Sequence, residues 1–129
     1  MKPAREALVH LRSDVASLRE GRRFVARTLR DWDVAESRVE PVLLVANELV
    51  ANAIVHACSA PVLSLEEQGD DLLLRVSDDS QAAPVAQTPS VDAMGGRGLI
   101  LVEALSDRWG IDVDGQGKSV WVAFDGAFT

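Results

Sequence analysis

Residues 48–57 read Glu48-Leu49-Val50-Ala51-Asn52-Ala53-Ile54-Val55-His56-Ala57. They lie in a stretch that otherwise has the character of a buried helix. Between Val42 and Ala57 the polar residues are Asn47, Glu48, Asn52 and His56. Glu48, Asn52 and His56 recur at every fourth position and share one stripe of a helix, whereas Asn47 points elsewhere. A carboxylate and an amide on an apolar helix are costly without partners. Two readings are open. In one, these side chains hydrogen-bond to neighbouring backbone, the usual fate of buried polar groups. In the other, an acid able to act as a base and an amide oxygen able to hold a hard cation belong to a magnesium-nucleotide site.

Upstream, Ser37-Arg38-Val39-Glu40 has the form of a capping box, and Pro41 suits a helix start, so the helix is predicted to run from there to about Ala57. Ser17-Leu18-Arg19-Glu20 is a second capping-box pattern. It opens a helix with Leu18, Val25, Leu29 and Trp32 on one face, and the turn after it spans Asp31 to Ala35. Residues 6–13 read as a first strand. Downstream, strands are expected over Val62 to Glu66 and Leu72 to Val76, joined at Gly69-Asp70 as an antiparallel hairpin. A long loop follows, from about Ser80 to Gly96; loops of this length in compact domains are usually functional or mobile. A short helix is expected from Leu99 to Ser106. The last two strands, Trp109 to Val113 and Val120 to Phe124, are joined through Asp114-Gly115-Gln116-Gly117. Strands alternating with helices, then hairpins, predict an α+β two-layer sandwich, its helices on one face of a mixed β-sheet.

A chain of 129 residues is expected to form one domain over 1–129, large enough for a real core. The hydrophobic fraction of 47% excludes disorder. The longest apolar run is far too short to span a membrane. The first residues lack the basic-then-apolar pattern of a signal peptide. The single cysteine, Cys58, allows no intrachain disulfide, which points to the cytoplasm; it reads as a packing residue or a redox switch. The net charge of −7 opposes nucleic-acid binding. That charge is uneven: residues 1–40 carry nine basic and seven acidic groups, residues 41–129 four basic and 13 acidic. Arg19, Arg22, Arg23, Arg27 and Arg30 crowd the first helix, as a solvated face or as an interface for an acidic protein partner.

Two further segments bear on the opening stripe. Val76-Ser77-Asp78-Asp79-Ser80 ends a strand in an acidic turn, and Gly95-Gly96-Arg97-Gly98 opens a helix without side-chain bulk. Glycines at a helix start let backbone N–H groups approach a phosphate, and the helix dipole favours that charge. A bland glycine turn is the competing reading. No Gly-Lys-Ser/Thr follows, so this is not a P-loop, and the dinucleotide fingerprint is absent too.

Taken in order, the three segments resemble the GHKL ATPase superfamily, and within it the small bacterial branch of anti-sigma-factor serine kinases, whose domain has the Bergerat or histidine-kinase-like ATPase fold. Glu48-x-x-x-Asn52-x-x-x-His56-Ala57 looks like that family's N box, and Asp78-x-Ser80 stands in the place of its first glycine box. Gly96-Arg97-Gly98-Leu99-x-Leu101-Val102 looks like its second. Ser106-Asp107-Arg108-Trp109-Gly110 and Gly117-Lys118-Ser119-Val120-Trp121 resemble its closing strands. The resemblance implies ATP and Mg²⁺ as ligands. Asn52 would hold Mg²⁺ and Glu48 would act as the catalytic base. Asp78 would accept from the adenine amino group. Gly96, Arg97, Gly98 and Leu99 would line the phosphate site, backbone amides at 96–98 cradling phosphate. It implies as partners a sigma factor, an anti-sigma antagonist protein phosphorylated on serine or threonine, or both. A homodimer would cover the sheet edge near the first strand.

The chain departs from the family pattern in one region. The first glycine box usually reads Asp-x-Gly-x-Gly; here Asp78-Asp79-Ser80-Gln81-Ala82 has neither glycine, and no Lys or Arg stands between Ser80 and Gly96. A non-catalytic module, in which nucleotide stabilises a protein interface, is therefore the alternative to a kinase. A metal-dependent hydrolase using Glu48 and His56 is a third class; His10 lacks a matching set of ligands.

Overall fold

In the computed structural model, which describes residues 4–55, 60–78, 97–115 and 117–128, eight elements follow one another. They are β1 (Glu6–His10), α1 (Ala16–Asp31), α2 (Glu36–Val55), β2 (Val62–Gln68), β3 (Asp71–Asp78), α3 (Arg97–Leu105), β4 (Arg108–Asp114) and β5 (Gly117–Phe124). The strands form one sheet in the order β1-β2-β3-β5-β4, which leaves β1 and β4 as its edges. α1 lies over β1 and β2, α2 over β3 and β5, and α3 beside α2 and β4. The two-layer α+β class read from the sequence is the class observed. No helix among the described residues is long and apolar enough to cross a membrane.

All four strand pairings are antiparallel, so the sheet is not the mixed one expected. Two helices separate β1 from β2. A pair of antiparallel helices returns the chain to the end it left, and β2 runs back against β1. A single helix, α3, separates β3 from β4, and those two strands do point the same way. β5 then folds back between them, so the parallel pair never touches.

Alternate residues of each strand turn toward the helices. Leu63 and Leu65 of β2, Leu72, Leu74 and Val76 of β3, and Val120, Val122 and Phe124 of β5 are buried there. Val25 and Leu29 of α1, and Val42, Val45, Leu49 and Val50 of α2, close over them. Each such side chain contributes roughly 1.5–3 kcal/mol on leaving water.

The helix ends show which local signals prevailed. α1 begins earlier than its capping box predicts. The Ser17 N–H donates to Asp14 Oδ1 at 3.1 Å, and Ser17 Oγ, buried, accepts from the Arg12 N–H at 3.0 Å. Asp14 thus supplies the side-chain acceptor, because the Ser17 hydroxyl is already engaged. At the other end Asp33 takes a left-handed φ of 56°, its N–H donates to the Arg30 carbonyl, and the Val34 N–H reaches the Leu29 carbonyl at 3.0 Å. This double return satisfies carbonyls the helix leaves open, with buried Val34 against Leu29. α2 starts at Glu36, so Ser37 falls within its first turn and Pro41 inside the helix.

The first strand ends at His10, short of the expected 13, and the Leu11 N–H then donates to the Pro61 carbonyl at 2.9 Å. The Arg5 guanidinium lies 5.3 Å from the Trp32 ring and 5.4 Å from that of Phe128, and Nε and Nη2 donate to the two Glu67 oxygens at 3.0 Å each. Gly69, with φ 62°, makes the tight turn from β2 to β3. On the face away from the helices, the Trp121 indole covers the backbone of Gly110, where an added Cβ would lie 2.6 Å from ring atom Cζ2.

Gly110→Ala should therefore lift Trp121 off the sheet. The expected result is a loss of about 1–3 kcal/mol in urea denaturation, with a red shift in tryptophan fluorescence. Gly115→Ala is the control, since nothing lies within 4 Å of a Cβ there.

Candidate functional site

α2 is covered on most of its circumference. Val42, Val45, Ala46, Leu49, Val50, Ala53 and Ile54 are buried. One flank faces α1: Asn47 Oδ1 accepts from Arg22 Nη2 at 3.4 Å, which explains why Asn47 stands off the sequence stripe. Asn52 sits roughly 140° round the helix from Asn47, at 100° per residue. Glu48 and Asn52 therefore lie on the flank away from α1, toward the α3 side, in line with exposed Leu44. Both are half-buried, and Asn52 has polar partners of its own.

Asp78 is the last residue of β3 and continues the series Leu72, Leu74, Val76 on the helix-facing side. It is 9% exposed, and it too is engaged. A carboxylate at the end of an apolar row, under the helix layer, is one of few buried polar side chains among the described residues, with Ser17 and Thr28.

The connections bring these residues to one end of the sandwich. α2 ends at Val55 and β2 begins at Val62, which pairs with Ser77 next to Asp78. The C-terminal half of α2, with Asn52, therefore overhangs the Asp78 end of the sheet. β4 starts at Arg108, opposite Ala123, whose other neighbour is Leu73 at the far end. α3 leads into that far end, so its N-terminus at Arg97 points back toward Asp78. Gly98 and Leu99 follow in its first turn. Glu48 lies one helical turn below Asn52. Gly96, His56 and Cys58, the residues after Asp78 in the first glycine box, and the loop to Gly96 lie outside the described residues.

One residue at this end was not singled out from the sequence. Lys118 on β5 stands directly opposite Asp78 in the register, on the same face, and is half-buried. Forty positions separate the two in the chain, so only strand pairing reveals the neighbourhood.

A helix layer lies over an antiparallel sheet, with a helix-borne acid and amide above a carboxylate at a central strand end, so polar side chains gather at one pole of a two-layer domain. A family model for the histidine kinase-like ATPase domain matches residues 11–124. The chain belongs to that family. The crystal structure of the RsbU and RsbW domains of Rv1364c from Mycobacterium tuberculosis is similar with a TM-score of 0.73, at 19% identity, over 95% of this chain and 33% of that one. The likeness is one of fold, and this chain spans about a third of the length of that relative. A search of curated proteins by sequence gives no match.

Because Asn52 stands on a flank and Ala53 in the core, the two neighbours should respond differently to substitution. Asn52→Ala is expected to change unfolding free energy by about 1 kcal/mol or less, the worth of a typical hydrogen bond. Ala53→Asp, which buries an uncompensated carboxylate, should cost about 3 kcal/mol or more. Urea denaturation of both checks the assignment of α2's faces.

Proposed function

We propose that the chain is a single ATP-binding domain acting as a bacterial regulator of the anti-sigma-factor type, with nucleotide held at the Asp78 pole. The observation that carries this reading is the meeting there of Asn52, Asp78 and the start of α3, three segments far apart in sequence. In this reading Asp78 accepts a hydrogen bond from the adenine amino group. Asn52 offers a neutral hard oxygen to Mg²⁺, which takes few ligands from protein and completes its shell with phosphate and water. Backbone amides of Gly96, Arg97 and Gly98 would cradle phosphate, with Leu99 lining the same site. Bound ATP would supply the transferable phosphoryl group. Glu48 would take the proton of an attacking serine or threonine hydroxyl on its carboxylate. The family membership and the fold shared with an RsbW domain support this reading.

The partner would be a sigma factor, an antagonist protein, or both, and α1 offers the surface. Arg19, Arg22, Arg23, Arg27 and Arg30 are all exposed, and among the described residues none of them makes an ion pair. A second copy of the chain would pair at the β1 edge.

A non-catalytic module is the second reading. What favours it is sequence: the missing glycines after Asp78 and the absence of Lys and Arg between Ser80 and Gly96. Phosphoryl transfer depends on positioning and charge neutralisation, and both would be weakened.

Asp78→Asn should weaken ATP binding by about tenfold to a hundredfold, the worth of a charge-assisted hydrogen bond. Calorimetry with ATP and GTP reads this; equal affinity of the wild type for both nucleotides would remove Asp78 from the adenine role. Glu48→Gln keeps the shape and removes the base. Single-turnover phosphotransfer to an antagonist protein should fall by about 10²–10⁴ while ATP affinity holds. A wild type that transfers phosphate no faster than this variant leaves the non-catalytic reading. Reversing Arg23 and Arg27 to Glu should slow partner association, most at low salt, and leave ATP affinity in place; unchanged association returns α1 to a solvated face.

A further inference from the structure

On β3, β5 and β4 the side facing the helices is apolar row by row until its last row. Across β3, β5 and β4 the penultimate row is Val76, Val120 and Ile111. The last is Asp78, Lys118 and Val113. Side chains directly opposite on one face have Cβ atoms roughly 4.5–5.5 Å apart. The carboxylate and the ammonium stem therefore leave the sheet side by side, at the same pole as Asn52.

The charges around Lys118 make it unlike the other cations of these strands. Arg75 is held by Asp112 at 3.5 Å, and Arg108 by Asp125 at 2.7 Å and Asp71 at 3.2 Å. The register sets both of those arginines on the face away from the helices. Lys118 is the described cation of these strands on the helix side. Among the described residues it makes no ion pair, even though Asp78 is its neighbour. A half-buried lysine beside a carboxylate, with no ion pair to it, is a donor available to something that lies against both.

We propose that Lys118 reads the base. Its ammonium donates a hydrogen bond to N1 of the adenine whose 6-amino group is accepted by Asp78. The proposal rests on the nucleotide reading above and adds a residue to it. The Watson–Crick edge of adenine presents a donor, the 6-amino group, beside an acceptor, N1. An acceptor and a donor on adjacent strands complement that pair. In the same pose guanine presents a carbonyl oxygen to the carboxylate and an N–H to the ammonium, so both contacts turn repulsive. Buried polar groups that lose their partners are the strongest means of discrimination available to a binding site. Asp78 and Lys118 together would give a preference for ATP over GTP larger than Asp78 alone supplies.

The test is calorimetry on the full chain with ATP, AMP and 1-deaza-ATP, which lacks the N1 acceptor. Lys118→Met should weaken ATP and AMP by the same factor, about tenfold to a hundredfold. 1-Deaza-ATP should bind the wild type more weakly than ATP by that factor, and should bind Lys118→Met no worse than ATP does. Lys118→Arg, which keeps a donor, should recover most of the loss. Thermal melting of the variants checks that the fold persists. Equal ATP affinity of Lys118→Met and wild type would overturn the proposal. So would a loss seen with ATP and not AMP, which moves the ammonium to phosphate, or a 1-deaza penalty that persists undiminished in Lys118→Met. A wild type that binds none of the three nucleotides would instead sink the nucleotide reading itself.

Discussion

The covering of α2 on three sides is the constraint on which the rest of the structure depends. The sheet lies beneath it, α1 packs on one flank and α3 on the other. A 20-residue helix so enclosed can carry few polar groups without cost. The buried series Val42, Val45, Ala46, Leu49, Val50, Ala53, Ile54 fixes its rotation and height above the sheet. Glu48 and Asn52 are consequently placed by their apolar neighbours. The packed helix holds their backbone in place, the kind of support that a binding site formed in advance requires. Close approach of α1 helps: a Cβ on Gly21 would lie 3.3 Å from Leu11 Cδ1 and 3.5 Å from Leu63 Cδ2, so little bulk fits there.

The antiparallel order of the sheet follows from the same layer. Two helices between β1 and β2 return the chain to the end it came from, and one helix between β3 and β4 does not. The result is that the C-terminal half of α2, the end of β3 and the start of α3 gather at one pole. These three segments are far apart in sequence and come together only through the chain reversals, with β5 laid between β3 and β4.

Much of this was legible in the sequence because it was local. The stripe of Glu48 and Asn52 could be read from a period of four and the β2–β3 turn from Gly69-Asp70, whereas β3 runs on through Asp78, two residues past the expected Val76. What was misread turned on competition or on distance. Ser17 has the form of a helix cap, yet Asp14 is the acceptor, because the Ser17 hydroxyl is taken by the backbone of Arg12. Strands alternating with helices suggested a mixed sheet, and only the interposition of β5 decides otherwise. Lys118 passed unremarked because nothing in the sequence near it is unusual; its meaning comes from register with a residue on another strand. The family resemblance named Asp78 and Asn52, but it did not bring out this neighbour.

The Arg5 clamp has a consequence for how such a domain sits in a longer polypeptide. Arg5, between Trp32 and Phe128 and bonded to Glu67, ties the incoming and outgoing chain together near the Gly69 turn, at the end of the sheet remote from Asp78. The Phe128 N–H, donating to the Asp70 carbonyl at 3.1 Å, marks the same place. Entry and exit through one doorway make the fold a pendant: tethers or neighbouring modules can be spliced on at the hinge side, away from Asp78.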